Sequence, residues 1–568
     1  MPFLPILIFA TNYNLNTLAK DKYWKILLHY KNNKSEIDSP SFFLSKKGKY
    51  SPLYELNATI NRLVHPKYKD DNSVYCKFPA RREWIKQKIP TLQIKPQNCK
   101  ELKKELNEIK NISSVTLVFP TILMNSPASM FGHTLIRLDD KNGDYLNSFA
   151  INFAAQTDES NGLIYAFKGL FGGYIGKYAI VPYYEKLQEY NDIKNRDIWE
   201  YKLNLTQKEI EKLKLHLYEI KSTYSTYYYF NKNCSYQILW LLQSARPSIN
   251  LVNRFNYKTL PVDTIKVINE EKLISSTKYR PSKQKIILYY YNLINNKKTA
   301  LKFIKTYNFE ILKNLCDKDK QYTLDLAANY LRYQYISHDI SQKEYMKKFI
   351  KILKQRSKLP KEKHLNITSP TNPVLSHDSS KISLKIKKDP IITLKPAFHF
   401  KNDINIGFSN GAYIDFFKLS FTTEKIESFY FFTISSLTPR NDIFKPISWE
   451  VTLGAERFKE NKHYATLKTS AGFTYEHNSF LYSFLISLKD YQKEKNYIGI
   501  APSIHFEKNF KSLKIITTLQ RNFFNFKKYN TINTQIIKKI KRNFNIKIGY
   551  EKNLNDNYFF IGFDLYFL

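Results

Sequence analysis

The chain has 568 residues, with 89 lysines and arginines against 50 aspartates and glutamates and a formal net charge of +39. A chain of this length is expected to form two or three domains. The charge is spread over a sequence rich in Lys, Asn, Ile, Tyr and Phe and is accompanied by no nucleic-acid-binding motif, so we predict no nucleic-acid partner. An anionic lipid or lipopolysaccharide surface would be an equally suitable partner for this positive charge.

Residues 1–70 predict a small helical cap that packs against the next domain. The chain opens with a short apolar run, residues 1–10, which resembles the remnant of a signal peptide but lacks a basic start and a clear cleavage site. No apolar run approaches the roughly 18 residues of a membrane-spanning helix. The sequence therefore predicts no transmembrane helix.

Four cysteines, at positions 76, 99, 234 and 316, limit the possible cysteine chemistry. In an exported protein, Cys76 and Cys99 could form a disulfide that closes a short loop. Cys316 lies in a helical region, where we expect it to be packed, and Cys234 remains for chemistry. CxxC and metal-ligand spacings are absent, so we predict no metal and no cofactor.

Residues 71–250 predict an α+β catalytic domain. A helix at ELKKELNEIKNI and a strand at SVTLVFPTIL lead to SPASMFGHTLIRL, where His133 lies in a predicted strand, 131–139. Asn142-Gly143 predicts a two-residue hairpin loop before a return strand at 144–154. With that loop His133 faces Asn152, and directly opposed side chains on one sheet face lie within reach of each other.

A second stretch, FNKNCSYQILWLL, places Cys234 where a loop becomes an apolar helix. A helix N-terminus and a neighbouring imidazole both lower the pKa of a thiol. We therefore predict Cys234 as nucleophile, His133 as its base, and Asn152 as the amide that orients the imidazole. The alternative is structural, since a lone histidine in a strand and a lone buried cysteine are usually packing residues.

Five segments in the same order resemble the periplasmic domain family named after the Lnb-type bacterial lipoprotein N-acyltransferase. The His-before-Cys order also resembles the circularly permuted branch of the papain-like NlpC superfamily. The resemblance implies a permuted papain-like fold, a catalytic His and Cys carried onto His133 and Cys234, and thioester chemistry on lipids or lipoproteins. The five segments are SPASMFGHTLIRL, INFAAQTD (151–158), GGYIGKY (172–178), VPYYEKLQEYNDIKNRDIWEY (181–201) and NCSYQILWLLQSARP (233–247).

The glycine-rich stretch GLFGGYIG, residues 169–176, follows no predicted strand and lacks GxGxxG spacing. We interpret it as a flexible lid or substrate loop, with Gly172, Gly173 and Tyr174 as candidate substrate-binding residues. The apolar residues around it suit an acyl chain better than a peptide, or equally belong to the core. Further on, Thr206 and Glu209 predict a capping box before an amphipathic helix.

Residues 251–356 predict a helical appendix, and 357–382 a linker. From about residue 383 to 568 the pattern has a period of two, in about ten or eleven segments whose length suits tilted membrane strands. We predict an antiparallel outer-membrane-type β-barrel, which removes exposed strand edges by closure. A soluble β-sandwich or half-barrel is the alternative.

The sequence thus predicts a cell-envelope Cys–His acyltransferase that acts on membrane lipids or lipoproteins through a thioester, with a periplasmic catalytic domain and an outer-membrane barrel. Transfer is favoured over hydrolysis, because acyl donors are concentrated beside a membrane anchor. One alternative is a cysteine hydrolase, either a peptidoglycan amidase or peptidase or a lipase. The other is a non-catalytic barrel protein that binds envelope components.

Overall fold

The computed structural model describes residues 14–122, 124, 130, 132–143, 147–159, 161–360 and 366–568. The predicted signal remnant at 1–10 lies outside these residues. The chain folds into two compact units, one built from the described residues up to Thr121 and from Gly132 to Ser282, the other mainly from Lys283 to Leu568. Among the described helices, none is long and apolar enough to cross a membrane.

The first unit is α+β, as predicted. Its short 3₁₀ helices lie at Pro40–Phe42 and Val252–Arg254, and a π-helical turn occupies Gln188–Ile193. Its α-helices are α1 (Leu15–Lys20), α2 (Lys22–Leu27), α3 (Pro52–Val64), α4 (Val74–Lys77), α5 (Pro79–Lys88), α6 (Lys100–Glu108), α7 (Gly162–Phe171), α8 (Tyr183–Leu187), α9 (Gln207–Ile220), α10 (Cys234–Ala245) and α11 (Pro261–Glu270).

Seven antiparallel strands form the sheet of this unit, in the order β8-β6-β5-β4-β3-β7-β9. A separate two-stranded hairpin precedes them in the chain. The strands are β1 (Tyr30–Lys31), β2 (Lys34–Ser35), β3 (Ile112–Pro120), β4 (Leu135–Asp140), β5 (Phe149–Gln156), β6 (Tyr174–Pro182), β7 (Ile198–Leu203), β8 (Tyr224–Tyr227) and β9 (Ile274–Arg280).

Several local predictions are confirmed. Helix α6 and strand β3 lie where the pattern placed them. The capping box is present at the start of α9, where the backbone N–H of Thr206 donates to Glu209 at 2.8 Å. The structure also contains the Cys76–Cys99 disulfide, with Cα atoms 5.3 Å apart.

Three predictions need correction. The two-residue hairpin at Asn142-Gly143 is wrong, because Ile136 pairs with Ile151 and the connection between β4 and β5 is longer. Cys316 is exposed, since it caps a helix rather than packing in one. Residues 251–282, predicted as helical appendix, belong to the first unit because β9 pairs with β7 at the edge of its sheet.

Helix α10 is the centre of the first unit, and every one of its residues is buried. The N-terminal segment packs against it, as predicted for the cap. The Glu36 carboxylate accepts hydrogen bonds from Tyr236 Oη at 2.6 Å and Trp240 Nε1 at 3.0 Å. These bonds fix the orientation of the helix whose first residue is Cys234.

The second unit begins with four helices around an apolar cluster that includes Phe303, Leu326 and Ile352. A 3₁₀ turn at Phe309–Leu312 and another at Pro373–Leu375 complete its helical part. The helices are α12 (Lys283–Leu293), α13 (Lys297–Thr306), α14 (Asp317–Ile336) and α15 (Gln342–Arg356).

A closed antiparallel barrel of 12 strands follows, and this confirms the predicted barrel. It closes where β11 and the short β12 that follows it both pair with β13, so that these two segments together occupy one of the 12 strand positions. The strands are β10 (Ser380–Ile386), β11 (Ile391–Lys395), β12 (Ala397–His399), β13 (Ala412–Phe421), β14 (Ile426–Ser436), β15 (Ser448–Arg457), β16 (His463–His477), β17 (Phe480–Gln492), β18 (Tyr497–Asn509), β19 (Leu513–Phe524), β20 (Lys527–Lys541), β21 (Phe544–Lys552) and β22 (Asn557–Phe567).

The barrel has the inside and outside of a membrane protein. Large apolar side chains such as Phe484, Ile486 and Ile561 are exposed on its outer wall. Inside, charged side chains are buried, among them Lys381 and Asp564. A soluble sandwich would show the reverse, so closure and this polarity together exclude that alternative.

Candidate functional site

Cys234 is the first residue of helix α10. Asn233 caps that helix, because its Oδ1 accepts from the backbone N–H of Tyr236 at 3.2 Å and from Ser235 Oγ at 2.7 Å. The Asn233 amide also donates to the carbonyl of Tyr229 at 2.9 Å, so the cap ties the helix start to the preceding loop. The positive end of the helix dipole therefore points at the thiol and favours its ionised form.

His133 lies beside this thiol, in the segment just before β4 rather than in the strand where the sequence placed it. Its Nε2–H donates to Asn152 Oδ1 at 2.7 Å, which leaves Nδ1 for Cys234. Asn152 is in β5, as predicted, although the register differs from the predicted one by two residues. Because side chains alternate with a period of two, that shift keeps Asn152 on the same sheet face.

The surroundings of Cys234 act on its thiol in opposite directions. Burial raises the pKa, and the positive field and hydrogen bond of His133 lower it. The backbone N–H of Thr134 and the Tyr227 hydroxyl also lower the pKa of the thiol. The stabilising groups outweigh burial, so the pKa of Cys234 lies below its ordinary value. A thiol of this kind is a stronger nucleophile near neutral pH than an ordinary cysteine.

Tyr227, the last residue of β8, is a site residue that the sequence analysis missed. Its hydroxyl lies beside Cys234 and lowers the pKa of the thiol. Burial, followed by the nearby thiol, raises the pKa of Tyr227 well above its ordinary value, so it remains a hydrogen-bond donor. The signal available was weak, because Tyr227 is one of three consecutive tyrosines shortly before the cysteine.

The other side of His133 is covered by Tyr190, whose ring centre lies 5.5 Å from the imidazole. Tyr190 belongs to the π-helical turn, a distortion that often marks functional sites. Arg196 lies over the tyrosine ring at 5.3 Å and donates to the carbonyl of Pro120 at 2.7 Å. Burial lowers the pKa of Arg196 to about 10 despite the nearby Tyr190 and Cys234, and the group remains a buried cation.

The predicted lid at residues 169–176 is instead the junction between helix α7 and strand β6. Gly172 has a φ of +80°, and a Cβ there would lie 2.4 Å from the Tyr228 ring. A Cβ on Gly173 would lie 2.9 Å from the Lys168 Cβ. These glycines permit a tight turn against side chains, and their role in substrate binding, like that of Tyr174, stays a prediction.

Tyr174 is buried, and its hydroxyl is without a hydrogen-bond partner among the described residues. It pairs with Tyr227 across β6 and β8 and packs against Tyr165 of α7 at 5.6 Å. Farther along α7, the rings of Phe167 and Phe171 pack against each other at a tilt, with centres 4.7 Å apart, and both side chains are exposed. Helix α7 thus contributes Tyr165 to the contact with Tyr174 and exposes two further aromatic rings.

Among the described residues, one cluster has ligand atoms close enough to hold a metal: His377, His399 and Asp403 in the barrel. The Asp403 carboxylate already accepts from the ammonium groups of Lys381 at 2.6 Å and Lys395 at 3.1 Å. A divalent cation there would meet two buried positive charges, so the cluster fits an ion-pair network better than a metal centre.

The closed barrel with its apolar wall and polar interior defines the class of protein: an envelope protein with an outer-membrane-type barrel. Residues 102–271 match the family model of the Lnb N-terminal periplasmic domain, and this confirms the resemblance found in the sequence. The protein is therefore located in the cell envelope, with a periplasmic domain and an outer-membrane barrel. The match indicates an envelope protein of the lipoprotein-processing type.

Three further family models, each described as a domain of unknown function, match the rest of the chain: DUF7843 at 16–88, DUF7842 at 277–367 and DUF7840 at 370–558. The comparison with curated proteins finds no match. Among solved structures, the KdgM porin, alone and in complex with disordered oligogalacturonate, is 14% identical over 33% of this chain and 99% of its own, with a TM-score of 0.23. A score this low supports no inference, so the barrel assignment relies on its own strands.

Proposed function

We propose that this protein is a thiol acyltransferase that moves an acyl chain from a membrane lipid to an envelope acceptor through a thioester on Cys234. The observation that carries the proposal is the position of His133 beside Cys234 at the start of a buried helix, where the imidazole lowers the pKa of the thiol and is hydrogen-bonded to Asn152. Cys–His–Asn series of this kind serve nucleophilic acyl chemistry.

In the first half-reaction the Cys234 sulfur attacks the ester carbonyl of the donor lipid. His133 Nδ1 takes the thiol proton and then gives it to the departing lipid alcohol, so that the C–O bond breaks as the C–S bond forms. Asn152 keeps Nε2–H hydrogen-bonded and stabilises the imidazolium orientation. The products of this step are an acyl-enzyme and a lyso-lipid.

The carbonyl oxygen becomes negatively charged in the transition state and needs donors. Two are available beside the sulfur: the backbone N–H of Cys234 and the hydroxyl of Tyr227. Donors of this kind typically contribute about 3–4 kcal/mol each to lowering the barrier.

In the second half-reaction an amine or hydroxyl acceptor attacks the thioester, His133 removes the acceptor proton, and the thiol is restored. Transfer requires that water be kept from the thioester. Aromatic rings lie near the site, because Phe153 packs against Tyr227 and Tyr165 packs against Tyr229. These rings, together with the exposed Phe167 and Phe171 of α7, support a lipid donor over a peptide.

The first test is formation of the acyl-enzyme in the full-length protein reconstituted with phospholipid. Cys234→Ala and His133→Ala are each expected to lower the rate by at least about 10³-fold, and the double variant by no more than the single ones, since the residues act as a unit. Cys316→Ala is the control, because this free thiol is exposed and outside the series. A Cys234→Ala variant with full activity would end the proposal.

The second test concerns the thiol itself. In a Cys316→Ala background, the pH dependence of alkylation of Cys234 should have its midpoint below the ordinary cysteine value, because His133, Thr134 and Tyr227 favour the thiolate. His133→Asn should raise that midpoint, and Tyr227→Phe should raise it less. Equal midpoints in all three proteins would contradict the assigned roles.

Transfer and hydrolysis are separated by the fate of the acyl group. Mass spectrometry of lipoprotein N-terminal peptides from cells with and without the protein should show loss of an acyl group in its absence. Purified protein given phospholipid and a lipopeptide with a free amine should form the amide. Release of free fatty acid alone would replace the transferase with a lipid hydrolase.

A further inference from the structure

Helix α15 presents an apolar line that the described residues leave exposed. Met346, Ile350 and Leu353 are 45%, 58% and 46% exposed, and their spacing of four and three residues places them along one side of the helix. The neighbouring side of the helix supplies the contacts with the apolar cluster, because Ile352 is fully buried and Phe349 packs in that cluster. The exposed line therefore has no role in packing the helical segment.

A row of positive charge runs beside this line. Lys343, Lys347, Lys351 and Lys354 are exposed, and none of them forms an ion pair with any described residue. The helix carries a single acidic residue, Glu344, which pairs with a different lysine, Lys348, at 2.6 Å. An apolar line flanked by unpaired lysines is the pattern of a helix that lies in a membrane interface.

The barrel supplies the position of this helix relative to the membrane. Ser380 at the start of β10 pairs with Phe567 at the end of β22, so both ends of the barrel segment lie at the same rim. Strand direction alternates, and the loop 437–447 after β14 therefore lies at that rim too. This is the rim joined to the remainder of the chain, and hence the periplasmic one.

The helical segment is attached to that same loop. Tyr291 of α12 donates to the Asp442 carboxylate, and the Phe444 ring packs against Tyr333 of α14 at 5.3 Å. Helix α15 is fixed in turn to α14, through stacking of Tyr335 on Tyr345 at 4.7 Å. These contacts hold α15 at the periplasmic rim of the barrel.

We infer that α15 docks on the periplasmic leaflet of the outer membrane and binds anionic phospholipid. Met346, Ile350 and Leu353 enter the boundary between headgroups and acyl chains, and the four lysines contact lipid phosphates. The charge decides between occupants, because a second copy of this strongly basic chain would bring further positive charge to the same row.

The test uses the full-length protein in vesicles, with a polarity-sensitive fluorophore on Leu353→Cys in a Cys234→Ala, Cys316→Ala background. Quenching by brominated lipid reports insertion. In vesicles with 30% phosphatidylglycerol we expect strong quenching that falls as salt rises, and in pure phosphatidylcholine at least about threefold less, since surface charge attracts basic helices.

Charge reversal provides the matched variants. Lys343→Glu, Lys347→Glu and Lys354→Glu together should abolish quenching in the anionic vesicles. Lys298→Glu, Lys302→Glu and Lys305→Glu, an equal change on the exposed side of α13, should leave it intact. Equal quenching in both kinds of vesicle, or in both triple variants, would overturn the inference. Protection from aqueous iodide without lipid quenching, in a protein that migrates as a dimer, would instead assign the line to contact between copies.

Discussion

The first unit and the barrel bury different kinds of side chain. In the first unit the buried helix α10 consists largely of apolar residues such as Leu239 and Leu242, and Cys234 lies at its start. In the barrel the buried groups are charged, as with Lys381 and Asp403, while isoleucines and phenylalanines cover the outside. The same exposure therefore has different meanings in the two units, because one faces water and the other faces lipid.

Paired charges make the polar interior of the barrel possible. Asp403 accepts from Lys381 and Lys395, and Lys547 donates to Asp564 at 2.7 Å. Tyr566 also donates to Asp403 at 2.8 Å. A buried charge is tolerated when it is paired and hydrogen-bonded, and removing one partner leaves the other uncompensated.

The largest effect on stability is expected from Asp403→Ala. It leaves Lys381 and Lys395 with fewer counter-charges in a buried site and should destabilise the barrel by about 3–5 kcal/mol. In the first unit a comparable loss, about 2–5 kcal/mol, requires truncation of an apolar residue such as Leu239→Ala. Denaturant titration of the full chain in vesicles, with heat-dependent gel mobility reporting the barrel, measures both.

Glu460→Ala is the matched carboxylate control in the barrel. Glu460 pairs with Lys462 at 3.1 Å, and both side chains are exposed at a loop. Its removal should produce no measurable change. A small effect of Asp403→Ala, similar to that of Glu460→Ala, would mean that the lumen is hydrated rather than packed.

The next prediction compares the same isoleucine-to-lysine substitution on the barrel wall and on the surface of the first unit. Ile561 in the barrel and Ile193 in the first unit have similar exposures, 51% and 56%. A lysine at Ile561 would face hydrocarbon near the middle of β22 and should cost about 2–4 kcal/mol. The same change at Ile193 faces water and should alter stability by less than about 0.5 kcal/mol. Equal costs would contradict the membrane-facing assignment of the barrel wall.

The alternation of outward-facing apolar and inward-facing polar side chains in the barrel could be predicted from the sequence, because each residue that faces lipid must be apolar. Ile561 is exposed and Asp564 is buried, in the period-two pattern that the sequence displays. The partners inside the lumen could not be predicted, since Asp403 and Tyr566 are separated by 163 residues. Pairing at such distances depends on closure of the barrel, and β10 and β11 were too short to be counted reliably.

The site shows the same division. Cys234 and His133 were identified from local motifs, and Asn152 from the parity of a hairpin whose exact register was wrong. The predicted face of Asn152 was nevertheless right, because a shift of two residues leaves a side chain on its original face of the sheet. Tyr227 and Tyr190 reach the site through sheet pairing and a π-helical turn, and neither leaves a distinctive local pattern.

The first unit also contains a buried group that should make it sensitive to acid. His29 lies against His216, with Nε2 atoms 3.0 Å apart, and stacks on Trp240 at 4.7 Å. Burial, together with His216 and Arg81, holds the pKa of His29 well below its ordinary value. Glu219, which is near both His216 and Arg81, does not reverse that direction.

The smallest predicted effect follows from this histidine. Folded protein keeps His29 neutral, whereas unfolded protein takes up a proton below about pH 6.5, so acidification favours unfolding. The stability of the first unit should be complete above about pH 6.5 and fall by at most about 1.4 kcal/mol per pH unit below it. His29→Gln should reduce that slope, measured by denaturant titration between pH 7 and 5.5, while His65→Gln, at an exposed position, should not. An identical slope in wild type and His29→Gln would assign the acid sensitivity to carboxylates instead.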